Sequence, residues 1–279
     1  MTSPTFDQFR RPTFEQYCRE IVTQTDLLTR RTEGVDTSTP VPTCPGWDLG
    51  RLLRHVGGDH RWAEGIVGTR AAGPTPDDPV NDPDFCAPLD GDALGTWLGE
   101  GARALAATLR EAGPDTPVWT PADAEVIEQT SLFWARRMTY ETVVHRADAV
   151  LATGGRFTLD ADLAVDAVEE WLEFATVREA YEPGPEAPGL LGPGRTLRFD
   201  SAGARRWFVD LRGERPVWRT AGEEEGGEEG GEEAAVTVGG PVTDLLLFLY
   251  RRPTTAVATS GDTALLDLWL TRTGFWLEA

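Results

Sequence analysis

A chain of 279 residues with 40% hydrophobic content can build one large domain or two ordinary ones, and its formal net charge of −20 makes nucleic acid and anionic membrane poor partners. Every one of its 26 basic residues is Arg, which excludes Schiff-base catalysis, pyridoxal phosphate attachment and a Walker-type phosphate lysine. Three cysteines with no C-x-x-C spacing, a polar N-terminus without a signal-peptide core, and no apolar run longer than LLLFLY predict a cytoplasmic protein, monomeric or a small homo-oligomer.

The first half reads as helices joined by Pro/Gly-rich loops. Phe14, Tyr17, Ile21 and Leu28 mark a helix over 13–31, and VPTCPGW at 41–47 reads as a rigid turn. Asp48 can cap a second helix whose inner face is Leu49, Leu52, Leu53, Val56 and Ile66. Five prolines and several aspartates make 70–90 a long loop. A third helix, about 92–111, carries Leu94, Leu98, Ala102, Leu105 and Leu109 inward and stops at Gly113-Pro114. A fourth runs from about 128 to 152 and ends at Gly154-Gly155. Four amphipathic helices with long connections describe a four-helix bundle over residues 1–156.

The period changes in 157–279. A helix at about 160–181 precedes alternating stretches at 196–200, 205–212, 216–220 and 234–240, then a helix at PVTDLLLFLYRR, a strand at AVATS and a closing helix at DTALLDLWLTRT. This is a smaller α/β sandwich-like domain, and the fold class is α+β. EEEGGEEGGEE at 223–233 reads as a disordered acidic insertion.

The fourth helix raises a chemical question. Trp134, Met138, Glu141, His145 and Asp148 follow one another at spacings of 4, 3, 4 and 3 and share one stripe. The stripe opens on a bulky aromatic and a thioether, yet continues with a carboxylate and an imidazole one turn apart. Glu141 and His145 can grip a single ion, and His55, near the inner face of the second helix, would complete a His₂Glu set with a fourth position free, as in catalytic zinc sites. A hydrogen-bonded structural pair is the other reading. His60 stands about 140° round the helix from His55 and is left out.

VPTCPGWDLGRLLRHVGG, followed by YETVVHRADAVLATG, resembles the mycothiol-dependent maleylpyruvate isomerase family, in the P-G-W turn, the His after it and the E-x-x-x-H-R-x-D block. VTVGGPVTDLLLFLYRR and ATSGDTALLDLWL are similar to that family's C-terminal domain. The resemblance implies a DinB-like metal-binding bundle and a zinc or other divalent ion on His55, Glu141 and His145. It also implies mycothiol as cosubstrate and a small-molecule electrophile as partner. In the family's isomerase a thiolate adds to an activated cis double bond, the adduct rotates, and elimination returns the trans isomer. In related members the thiol stays attached, giving an S-transferase. A dicarboxylate substrate needs cationic groups, which makes Arg251 and Arg252 candidate catalytic residues, against a surface or helix-terminal role. The net charge opposes steering of a dianion and favours another electrophile. Asp59 or Asp148 could accept an imidazole N–H, Asp148 equally pairing with Arg146. Trp47 reads mainly as core, Cys44 as a packing thiol, and Arg137 as a structural ion pair. The competing functions are a non-catalytic metal-containing binding or regulatory protein and a thiol-independent zinc hydrolase.

Overall fold

A computed structural model gives the structure of the protein and describes residues 9–76, 89, 91–122, 125–182, 188–201, 205–220 and 233–277. The acidic run at 223–233, apart from Glu233, and most of the 70–90 loop, including Cys86, lie outside the described residues. The chain divides into two compact units, Pro12–Thr158 and Leu159–Ala279, the latter joined by the segment that ends at Arg11.

The first unit is a four-helix bundle of α1 (Phe14–Thr32), α2 (Leu49–Thr69), α3 (Gly91–Ala112) and α4 (Ser131–Ala152). Helix α1 packs on α3 and α4, and α2 packs on the same two, so α2 and α4 are neighbours. Local chemistry sets the ends. Thr13 and Gln16 form a reciprocal capping box on α1. Asp48 accepts the Arg51 N–H at 2.8 Å, capping α2. The predicted inner faces of α2 and α3 are buried throughout, each large aliphatic withdrawing apolar surface worth about 1.5–3 kcal/mol. Helix α4 differs from a simple amphipathic rod, because Thr139, Tyr140, Thr142 and Val143 are buried alongside the Trp134–Met138 stripe. Its buried hydroxyls stay satisfied by bonding back to carbonyls one turn earlier, Thr139 to Ala135 at 2.8 Å and Thr142 to Met138 at 2.7 Å. Several of the ten Trp build one cluster, with Trp62 edge-on to Trp134 and Trp119 at 5.1 and 6.2 Å.

The second unit opens with α5 (Ala161–Phe174), capped by Asp160, and a single turn α6 (Arg178–Tyr181). The two were expected as one helix; the chain breaks at Ala175–Val177, where Thr176 turns its hydroxyl onto the Glu173 carbonyl at 2.8 Å. A mixed five-stranded sheet follows, in the order β3-β2-β1-β4-β5, built from β1 (Thr196–Ser201), β2 (Arg206–Asp210), β3 (Val217–Thr220), β4 (Val236–Gly240) and β5 (Ala258–Gly261). Neighbours are antiparallel except β1 and β4. Helix α7 (Val242–Leu249) packs on α5 and on β1 and β4, and α8 (Thr263–Thr273) on β4. Leu197, Phe199, Val236 and Val238 are fully buried, with Trp269 of α8 5.3 Å from Phe199. The period-2 alternation read from the sequence is therefore the buried face of one sheet.

Candidate metal centre

Helices α2 and α4 each present an imidazole to the same carboxylate. His145 Nε2 lies 2.9 Å from Glu141 Oε1, and His55 Nε2 lies 3.5 Å from that same oxygen. The donor atoms of His55, Glu141 and His145 all fall within 4.8 Å of one another. The i,i+4 spacing makes the α4 pair inevitable once the helix forms, whereas His55 reaches it only because α2 lies against α4.

The turn at 41–47 supplies the surroundings. It closes on itself through Val41 N–H to Trp47 O at 2.9 Å and Trp47 N–H to Cys44 O at 3.0 Å, with Gly46 at φ +82°, a conformation glycine adopts without steric cost. So held, Trp47 stacks on His145 (5.9 Å between ring centres, 19° between planes) and meets His55 edge-on at 4.8 Å. Trp47 is thus a wall of the site as well as a packing residue. Cys44 donates its thiol to Asp148 Oδ2 at 3.4 Å, and the same oxygen accepts from His145 Nδ1 at 2.9 Å. Cys44, His145 and Asp148 are a second group with metal-ligand spacing, but Asp148 already satisfies the other two. Of the two candidate supporting carboxylates, Asp148 takes Nδ1 of His145, the nitrogen away from Glu141, whereas Asp59 Oδ2 lies 3.3 Å from His55 Nε2, the nitrogen that also faces Glu141. Arg137 pairs with Glu141 Oε2.

One sequence expectation resolves differently. Arg146, read as an ion-pair former, donates instead to the Thr158 carbonyl at 2.7 Å and covers the Phe157 ring, and burial pulls its pKa down to about 10. His60, left out of the ligand set, points to the Thr142 hydroxyl at 2.8 Å. Arg251 and Arg252 belong to the other unit. Arg251 occupies the left-handed position that ends α7 (φ +60°) and donates to the Leu270 carbonyl, while Arg252 is buried and donates to the Tyr250 carbonyl at 2.8 Å.

The electrostatics suit a cation. Burial by itself disfavours the imidazolium of His145, but hydrogen bonds with Asp148, Cys44 and Glu141 outweigh it and hold its pKa well above the usual range. His55 is likewise raised: burial opposes this, and the Asp59 charge and the Glu141 hydrogen bond overcome it. Burial would raise Glu141, yet the Arg137 charge and the two imidazoles keep it well below an ordinary carboxylate. Burial lifts Asp59 to about 6. With its pKa raised, His145 carries a proton on each nitrogen, donating Nδ1–H to Asp148 and Nε2–H to Glu141 Oε1, and a bound cation would take the place of the Nε2 proton. A cation held about 2.0–2.2 Å from each donor needs donors roughly 3.4 Å apart, and Glu141 Oε1 stands 2.9 and 3.5 Å from the two imidazole nitrogens. Two borderline imidazole nitrogens with one harder carboxylate oxygen are a donor set that zinc accepts. The residues fit the ion.

Two family models match the sequence: the mycothiol maleylpyruvate isomerase N-terminal domain over residues 18–150 and the MDMPI C-terminal domain over 162–268. Among solved structures, the crystal structure of the mycothiol-dependent maleylpyruvate isomerase aligns with a TM-score of 0.60 at 16% identity, covering 93% of this chain and 96% of that one. The structure of a histidine-to-alanine mutant of that isomerase aligns equally, at 15% identity with the same coverage. At such identity these two share the fold. No curated protein matches the sequence.

Proposed function

Since the chain belongs to the mycothiol-dependent maleylpyruvate isomerase family, a family of enzymes, we propose that it binds a divalent cation, zinc foremost, through His55, Glu141 and His145 and uses mycothiol to convert a small electrophile. The observation that carries the reading is the convergence of two imidazole nitrogens and one carboxylate oxygen, from two helices, within 4.8 Å. A thiol with an ordinary pKa of about 8.5 is mostly protonated at neutral pH, and a bound cation supplies the chemistry that ionises it.

The chain's own residues do the rest. Asp148 takes the Nδ1–H of His145, selecting the tautomer whose Nε2 is a ligand. Trp47 covers one face of His145 and the edge of His55, limiting their rotation and shielding them from water. Asp59, buried with Oδ2 3.3 Å from His55 Nε2, lines the α2 side of the site. In an isomerisation the sulfur–carbon bond that forms is broken again and the thiol returns unchanged. In an S-transfer that bond persists and one thiol is consumed per product. Maleylpyruvate is the first electrophile to try, and neutral analogues follow because the net charge of −20 repels a dianion.

The test joins metal analysis to thiol stoichiometry. Purified protein is expected to hold about one zinc per chain, and activity is expected only with mycothiol present. His145→Ala should lose metal retention and activity together. Turnover without any thiol would replace this reading with a zinc hydrolase, and zinc content unchanged in His145→Ala would remove that residue from the ligand set.

A further inference from the structure

Glu141 gives its two oxygens to different partners. Oε1 faces His145 Nε2 at 2.9 Å and His55 Nε2 at 3.5 Å, while Oε2 accepts from Arg137 Nη2. Arg137 stands one turn earlier on α4, and its side chain is only 14% exposed, so water and salt do little to loosen the pair. A planar guanidinium holds a carboxylate oxygen in a set direction, which a free surface charge does not.

A carboxylate can ligate through one oxygen or both. A Glu141 free to chelate would raise the set from three donor atoms to four and fill the position an incoming thiol needs. We propose that Arg137 is a positioning residue: by engaging Oε2 it restricts Glu141 to one ligating oxygen and keeps a coordination position open. Arg137 touches neither thiol nor electrophile in this scheme. Its effect reaches the reaction only through Glu141.

The inference rests on the metal reading above, yet the two fail separately. Cobalt(II) loaded in place of zinc reports coordination number, because four-coordinate cobalt absorbs visible light far more strongly than five-coordinate cobalt. The wild-type protein is expected to show the intense spectrum. In Arg137→Met the visible absorbance per bound cobalt should fall several-fold as Glu141 swings onto the ion. Arg137→Lys should keep the intense spectrum, since an ammonium can still meet Oε2. A folded Arg137→Met protein with the wild-type spectrum overturns the inference, because a purely structural ion pair would leave the ion's geometry alone. Zinc-edge X-ray absorption of the wild-type protein tests the same point without a variant: four light-atom neighbours are expected, and five or more overturn it. Wild-type protein that takes up no cobalt overturns the metal reading itself.

Discussion

His145 takes its orientation from both ends of its ring. Nε2 faces Glu141 at 2.9 Å and Nδ1 faces the fully buried Asp148 at 2.9 Å. Supporting carboxylates of this kind contribute about 10- to 100-fold in metal affinity. Asp148→Asn, which keeps the size and loses the charge, should therefore weaken zinc binding by about that factor, measured by competition with a chromophoric chelator. His60 carries a different liability. Burial depresses its pKa from 6.5 to about 3, so it folds neutral. Between those values the unfolded chain binds a proton that the folded chain cannot. Its contribution to stability is complete above about pH 6.5 and is lost at about 1.4 kcal/mol per unit as pH falls toward 3. His60→Gln should flatten that acid limb, read as the urea midpoint against pH beside the wild-type protein. A midpoint that falls equally in both would show that His60 is protonated in the fold.

Helix α2 meets α3 at a glycine. A Cβ on Gly57 would overlap the edge of the Trp97 ring, 2.1 Å from its nearest carbon, and the Arg61 guanidinium stacks 3.8 Å from the centre of that ring. Gly costs a helix about 1 kcal/mol relative to Ala, so local propensity favours replacing it. Overpacking costs about 1–3 kcal/mol and should win. Gly57→Ala is thus expected to destabilise the bundle by up to about 2 kcal/mol in urea unfolding, and a stabilised variant would show that Trp97 can move aside. Several other elements followed their own sequences closely: Asp48, Asp160 and Asp262 cap the helices they precede, and the apolar alternation of β1 and β4 forms the buried face of the sheet, while β2 buries Trp207, Phe208 and Val209 in succession. Helix α4 was legible as a helix but less so as a face, since α1 and α2 cover it from two sides and bury threonines that no periodicity marks as interior.

At the scale of the whole molecule, each unit has its own core, and the metal donors all belong to Pro12–Thr158. A ligand that binds only folded protein stabilises it by about 2.7 kcal/mol at a hundredfold excess over its Kd. Zinc should therefore increase hydrogen-exchange protection in α2 and α4 and leave the sheet unit unchanged. Equal protection throughout would mean that the ion does not act through this site.

The sequence by itself determined the two-part organisation, the helices and strands, and the Glu141–His145 couple, because capping, period and i,i+4 spacing act within one element. Family membership was legible too, through the P-G-W turn and the E-x-x-x-H-R-x-D block. Only the tertiary structure decided that Asp59 and Glu141 meet at one nitrogen of His55, that Cys44 and Trp47 join the site, and that Arg137 rather than solvent holds the second oxygen of Glu141. Those contacts join residues on different elements, or choose among rotamers on one helix, and depend on which faces the bundle presses together. Spacing along a chain carries no record of that choice.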